Sequence, residues 1–188
     1  MSSEYNELMF VDVEYQTNMI PFDINVDVFE DFRGMVSRER VVKIVDNVLG
    51  LVSPDTKAKI DVIIADDCTV RRLNKDYRGL DENTDVLAFS STLEGKFYGD
   101  INKIKNFGDD LDFVLPPGEK ELLGEIVISF LQAERQAVSS GHLIDREIAI
   151  LLTHGVLHLL GYDHLDPNDE KVMKSVELEA INSLDDLN

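Results

Sequence analysis

Three of the four histidines in this 188-residue sequence fall within eleven consecutive positions. His154 and His158 are four residues apart in a strongly apolar segment, so on a helix their imidazoles would share one face, about 5–6 Å apart at Cβ. Gly161 follows them, and a glycine with a positive φ can end the helix and turn the chain back. That turn would bring His164 to the same cation, so the segment predicts a metal site with three imidazole ligands.

Three nitrogen ligands with an open fourth position are typical of catalytic rather than structural zinc sites. Imidazole suits several divalent metals, and zinc is favoured because it commonly occupies such three-histidine sites. The sequence therefore predicts one zinc ion per chain. Metzincin peptidases use the same spacing, but there a Glu follows the first His and acts as general base. Gly155 occupies that position here, so a peptidase is the weaker interpretation.

Positive charge is concentrated in one short segment of an otherwise acidic chain. The whole chain has 18 Lys and Arg against 37 Asp and Glu, a net charge of −19, which argues against non-specific attraction to nucleic acid. Arg71, Arg72, Lys75 and Arg78 nevertheless lie within eight residues, offset by Asp76. The segment is either a solvated helix face or a local anion site.

The elements that must position these residues can be predicted from periodicity and capping residues. Predicted strands are 9–15, 60–64, 86–89 and 125–130. Predicted helices are 37–49, 131–139, 145–160, 166–184 and a short helix after Asp66 or Asp67 that carries Val70, Leu73 and Tyr77 inward. Residues 21–34 predict a loop or short insertion, and the glycine- and proline-containing stretch 91–120 predicts a long mobile loop bordering the cleft.

The predicted fold class is α+β, with a small mixed sheet of about four strands packed against helices. The metal site lies on a late apolar helix and the turn after it. We expect one domain over 1–188, in which 1–36 form an acidic first strand and loop and 91–122 form the long cleft-side loop.

The composition predicts a cytoplasmic protein. The single cysteine excludes an internal disulfide framework and favours a reducing compartment. No run of about 18 apolar residues is present, so we expect no membrane association. The first residues have neither the basic nor the long apolar part of a secretory signal, so we expect none.

At its histidines the chain resembles the YbeY family of bacterial endoribonucleases, the rRNA maturation factors. The family signature H-G-x-L-H-L-x-G-Y-D-H matches residues 154–164 at every specified position. Further segments are similar to the family's R-x-L-N-x-x-Y-R-x-x-D, T-D-V-L-S-F and L-G-D-I-V-I-S motifs, namely 71–81, which includes Arg72-Leu73-Asn74, Tyr77-Arg78 and Asp81, and 84–89 and 123–129.

The resemblance implies a zinc-dependent endoribonuclease that prefers single-stranded RNA. Its implied role is maturation of the 3′ end of the small-subunit rRNA and ribosome quality control. The implied partners are rRNA, the small ribosomal subunit and its assembly factors, with no DNA. It also implies an arginine in the active-site cleft, which corresponds to Arg78.

The residue types agree with phosphodiester cleavage. Arg78 can direct two parallel donors at phosphate oxygens, which Lys cannot do. Arg72 and Lys75 would follow the RNA backbone nearby, whereas Arg71 is expected to be solvated. Asp163 would orient a ligating histidine or act as a proton shuttle. The nucleophile stays open, and so do two alternatives: a zinc hydrolase of other substrates, and a non-catalytic ribosome-assembly factor whose metal braces the fold.

Overall fold

A four-stranded mixed sheet with helices on both faces forms the part of the chain that the computed structural model describes, residues 22–54, 58–91, 120–162, 164 and 166–184. The strands are β1 (Asp23–Val28), β2 (Ala58–Ala65), β3 (Val86–Ser90) and β4 (Glu121–Ser129). The helices are α1 (Arg38–Val52), α2 (Asp67–Leu73), α3 (Phe130–Ser140), α4 (Ile144–Leu159) and α5 (Pro167–Asn182). A 3₁₀ turn spans Glu30–Phe32, and a π-helical turn, Asn74–Arg78, continues α2. These elements confirm the α+β prediction.

The strand order is β1-β2-β4-β3. Strands β1, β2 and β4 are parallel, whereas β3 runs antiparallel to β4 at one edge. Strand β2 alternates between fully and partly buried positions, and every second residue faces the main core. Ile60, Val62 and Ile64 of β2 accordingly expose 1% of their surface or less.

Side-chain alternation along β4 shows which helices cover which face. Ile126 and Ile128 belong to the main core with α1 and α4, whereas Val127 packs in a smaller cluster with Val70 of α2. Since successive strand residues point to opposite faces, α4 and α2 lie on opposite sides of the sheet. Ten of the sixteen residues of α4 are buried, as expected for a helix that is apolar nearly all round.

Three of the predicted helix starts are confirmed by side-chain caps, whereas Asp145 lies in the first turn of α4 and does not cap it. Ser37 accepts a hydrogen bond from the backbone N–H of Arg40 at 3.3 Å, and Asp66 accepts one from Thr69 at 2.6 Å. Asp166 caps α5 in the same way, with Pro167 in the first turn. Among the described residues, no helix is long and apolar enough to cross a bilayer.

Three boundaries differ from the prediction. The expected loop at 21–34 contains β1 and the 3₁₀ turn, because Asp23, Asn25 and Asp27 occupy the exposed positions of an alternating strand. Helix α1 continues past Gly50 to Val52. A Cβ atom at Gly50 would meet no neighbouring atom within 4 Å, so this glycine is not needed for packing. Strand β4 begins at Glu121, so the expected loop 91–122 is shorter at its end.

Two predicted features fall outside the described residues. They are the predicted strand 9–15 and the predicted loop residues 92–119. The expected motion of that loop therefore stays a prediction. The extent of one domain over 1–188 stays a prediction.

Candidate metal centre and its cleft

The end of α4 brings the three histidines together. Gly161, with φ of 89°, donates its N–H to the carbonyl of His158 at 3.0 Å, and the N–H of Tyr162 reaches the carbonyl of Leu157 at 2.9 Å. These two bonds form a Schellman motif, which a left-handed glycine permits without strain. The chain therefore turns back over its own helix end and returns His164 to the face that carries His154 and His158.

The three imidazoles form one compact group. Each offers a nitrogen atom, and these atoms all lie within 4.8 Å of one another. The rings of His154 and His158 are 4.4 Å apart at their centroids, and His164 lies 5.7 Å and 5.3 Å from them. His154 and His158 are half-buried, whereas His164 is exposed.

The hydrogen bonds around the rings favour a cation at their centre. Nδ1 of His154 faces Oε1 of Glu177 at 2.7 Å, and Nδ1 of His158 faces the carbonyl oxygen of Tyr162 at 3.0 Å. Both partners are acceptors, so both Nδ1 atoms carry the proton and a neutral ring then has its lone pair on Nε2. The two Nε2 atoms are 2.9 Å apart, so their lone pairs would repel unless a proton or a metal cation lies between them.

These distances suit the predicted ion. A tetrahedral zinc ion with Zn–N bonds near 2.0–2.1 Å separates its ligand nitrogens by about 3.3 Å. The Nε2 atoms of His154 and His158 are 2.9 Å apart, and all three ligand nitrogens lie within 4.8 Å of one another, so the observed distances fall on both sides of that value. The three histidines therefore fit a divalent ion bound through imidazole nitrogen.

Sequence reasoning did not find the groups that orient these ligands. Glu177 belongs to α5, and the second acceptor is the backbone of Tyr162, not a side chain. The side chain of Asp163, which was expected to orient a ligand, lies outside the described residues. Glu177 is 23 residues from His154 in the sequence, so neither helix nor strand periodicity could have predicted this contact.

A cleft of about 160 Å³ joins the histidines to Arg78. Its walls are formed by α4, by the turn before β3, by β3 itself and by the end of the π turn. The lining residues are Arg78, Thr84, Asp85, Val86, Leu87, Ala88, His154, Gly155, His158 and His164. The structure thus brings together the three predicted ligands and the arginine predicted to meet the phosphate.

The π turn explains why Arg78 lines the cleft and Tyr77 does not. A π turn holds more residues than an α turn, so the side chains within it are displaced around the helix axis from their α-helical positions. The prediction that Tyr77 points inward is therefore wrong: its surface is 58% exposed, and its ring packs edge-on against Phe89 at 5.1 Å. Asn74 takes the buried position on this turn instead.

The other basic residues of the segment lie outside the cleft. Arg71 and Lys75 both bind the Asp81 carboxylate, at 2.8 Å each, on the exposed side of α2. Arg72 is also exposed and does not line the cleft. The exposed position expected for Arg71 is found, but its guanidinium is paired, which holds the start of the 81–85 turn to the helix.

A partly buried polar network supports the cleft wall below Asp85. Its carboxylate accepts hydrogen bonds from the backbone N–H of Val86 at 2.8 Å and from the side chain of Gln136 at 2.9 Å. Nearby, Glu147 of α4 pairs with His142 at 3.1 Å. Burial raises the pKa of the Glu147 carboxyl; the charge of a protonated His142 opposes that shift, and the Asp85 carboxylate adds to it.

Gly155 lets α4 pack directly on β4. A Cβ atom at this position would lie 2.9 Å from Cγ2 and 3.1 Å from Cδ1 of Ile126, a fully buried residue. Both distances are shorter than ordinary van der Waals contact. The position that holds a catalytic Glu in metzincins is therefore closed to any side chain unless the sheet shifts.

Comparison with known proteins gives a consistent set of relatives. A family model described as endoribonuclease YbeY matches residues 25–185. A Dehalococcoides mccartyi protein named endoribonuclease YbeY is 41% identical over 153 residues, covering 81% of this chain and 91% of its own length. Proteins of that name from Roseiflexus castenholzii and Desulfitobacterium hafniense are 38% and 34% identical, over 84% and 93% of this chain and 89% and 96% of their own lengths.

Proposed function

Because the chain belongs to the YbeY family of endoribonucleases, we propose that it cleaves phosphodiester bonds of RNA at the cleft between α4 and β3. The observation that carries this proposal is the presence of three imidazoles and Arg78 in one cleft. The imidazoles of His154, His158 and His164 would hold one zinc ion. When bound, zinc supplies Lewis-acid polarisation of a phosphate oxygen.

Other groups in and around the cleft would bind the phosphate and hold protons in place. Arg78 would hold the scissile phosphate with two parallel N–H donors and stabilise the charge that develops on its oxygens. Glu177 and the Tyr162 carbonyl keep the protons of His154 and His158 on Nδ1, away from the cleft. Asp163 as a proton shuttle or orienting group stays a prediction.

The proposed substrate is single-stranded ribosomal RNA, in particular the 3′ end of the small-subunit rRNA. Single-strand recognition requires a surface on which an unpaired base can stack. Tyr77 offers such a surface, since it is exposed beside Arg78 and its ring is supported by Phe89. Arg72 and Lys75 would follow the RNA backbone outside the cleft, Lys75 by exchanging its Asp81 partner for phosphate.

The proposal also covers the cellular setting. A role in rRNA maturation and ribosome quality control would place the protein in the cytoplasm with the small ribosomal subunit and its assembly factors. The net charge of −19 supports a substrate delivered by specific contacts rather than by bulk attraction to nucleic acid or DNA.

Cleavage of a labelled RNA oligonucleotide by the purified protein tests this function. We expect the single strand to be cut, the same strand in a duplex to be spared, and cutting to stop after chelation and resume with Zn²⁺. His158→Ala should abolish cleavage, whereas His142→Gln, which removes the fourth histidine but can still donate to Glu147, should retain it. A zinc-loaded wild-type protein that leaves single strands intact would contradict the proposal and favour the non-catalytic assembly factor.

A peptidase is the second candidate because of its matching histidine spacing, and the packing of Gly155 argues against it. A metzincin-like base would need a side chain where Ile126 leaves no room for Cβ. We expect no hydrolysis of unstructured protein substrates under the conditions that support RNA cleavage.

A further inference from the structure

Glu177 forms a contact to the metal centre from outside the histidine segment. Its Oε1 atom lies 2.7 Å from Nδ1 of His154, and both side chains are largely shielded, with 21% and 30% of their surfaces exposed. A carboxylate is a strong acceptor for an imidazole N–H, and such a bond fixes both the tautomer and the rotation of the ring. Nε2 of His154 is thereby presented to the cleft.

This contact is not needed to hold α5 in place. Met173, Ala180 and Ile181 bury the inner face of that helix. The side chain of Asn47 in α1 adds hydrogen bonds to the carbonyl of Ala180 at 3.2 Å and to Ser183 at 2.8 Å. The carboxylate of Glu177 therefore contributes a polar contact to a helix that apolar packing and Asn47 already anchor.

We propose that Glu177 is a positioning residue that raises the affinity of the three-histidine site for its ion. It holds His154 in the ligating tautomer and places a negative charge beside the imidazole, which makes Nε2 a better donor to a cation. Helix α5 is then linked to the ion through one hydrogen bond, although it supplies no ligand itself. This inference rests on the ion site of the proposed function but not on its RNA substrate.

Titration of the full-length, metal-free protein with Zn²⁺ in the presence of a competing chelator tests the proposal. Loss of a group that orients a ligating histidine typically lowers metal affinity about 10- to 100-fold. We expect a loss in that range for Glu177→Ala and a smaller loss for Glu177→Gln, whose amide oxygen still accepts the Nδ1 proton. Glu179→Gln removes the same charge from an exposed position of the same helix and should bind Zn²⁺ like wild type.

Imidazole nitrogen NMR of the metal-free proteins supplies a second measurement that a merely structural role would not change. We expect His154 to carry its proton on Nδ1 in wild type and Glu177→Gln, and to show mixed tautomers in Glu177→Ala. Urea unfolding of the metal-free Gln variant should match wild type. If Glu177→Ala does not fold, the Gln variant decides the matter by its Zn²⁺ affinity.

Wild-type Zn²⁺ affinity in both variants, or in the Gln variant alone when the Ala variant is unfolded, would overturn the inference. An equal loss in Glu179→Gln would also overturn it, since the effect would then be one of general charge. Failure of the zinc-loaded wild type to cut RNA would refute the proposed function without changing these affinities, so the two proposals fail separately.

Discussion

Gly155→Ala should change the stability of the protein in two opposing ways: alanine favours the helix, but its Cβ atom would be forced against the sheet. Alanine favours a helix over glycine by about 0.8–1 kcal/mol, so on an open helix the change would stabilise the protein. At Gly155 the new Cβ would lie 2.9 Å from Cγ2 of Ile126. That methyl group is on a β-branched side chain whose χ1 is stiff, so it cannot move aside without a shift of the strand.

The packing term is the larger of the two. Forcing an extra carbon into a filled core typically costs about 1–3 kcal/mol. Subtracting the helix gain leaves a net destabilisation of up to about 2 kcal/mol. Because Ile126 pairs with Ala88 in the sheet, and Ala88 lines the cleft, the shift should also reduce RNA cleavage.

Urea unfolding measures the free energy, and Gly50→Ala is the matched control. Gly50 lies inside α1, and a Cβ there would meet nothing within 4 Å. Gly50→Ala gains the same helix propensity without a contact like that between Gly155 and Ile126, so it should be stabilised by about 1 kcal/mol. The difference between the two variants isolates the packing term. If Gly155→Ala is stabilised as much as Gly50→Ala, the close approach of α4 to β4 is wrong.

Three further predictions concern the cleft and its support. Arg78→Ala should keep its zinc and its fold but lose about 10²–10³-fold in turnover. Arg78→Lys should restore part of that turnover, and Arg71→Ala should cleave RNA at nearly the wild-type rate. If all three variants cleave RNA at the wild-type rate, Arg78 does not contact the scissile phosphate. Tyr77→Ala should weaken single-stranded RNA binding about 5- to 150-fold and Tyr77→Phe should not, as measured by fluorescence anisotropy. The pKa of Glu147 is raised, so its contribution to stability is full below its ordinary value of 4.5 and is lost as pH rises through the folded value. Urea unfolding measured from below pH 4.5 upward should show this loss of unfolding free energy in wild type and not in Glu147→Gln. If the free energies of the two proteins change in parallel with pH, the raised pKa of Glu147 is wrong.

Local signals in the sequence were sufficient for the histidine segment. The four-residue spacing fixes the relation of His154 to His158, and Gly161 at φ 89° ends the helix where the sequence predicted. Caps are equally local, because Ser37, Asp66 and Asp166 each bind backbone groups two or three residues ahead. For these caps and for the spacing of His154 and His158, both partners lie within one turn of chain, and the sequence was enough.

Two errors arose where local patterns had more than one solution. The acidic residues in 23–28 suggested a loop, yet an edge strand can place Asp23, Asn25 and Asp27 at its exposed positions while β2 pairs with its backbone. The α-helical period placed Tyr77 inward, but the π turn changes that period within one turn. Backbone hydrogen bonds determine both the strand at 23–28 and the π turn at Tyr77, and these bonds cannot be inferred from the types of the side chains.

The chemistry of the site depends on contacts that no spacing encodes. Metal-ligand spacing alone is compatible with a peptidase and with a nuclease, since it states only where the imidazoles are. One long-range contact narrows the choice, because Ile126 leaves no room for a side chain at the position of a metzincin base. The contact of Glu177 with Nδ1 of His154 would orient a ligand in either kind of enzyme. Because Gly155 can supply no proton acceptor, charge and proton control in the cleft must come from its other walls. Among the described residues that line the cleft, Arg78 is the one arginine or lysine, and its guanidinium suits a phosphate better than a peptide group.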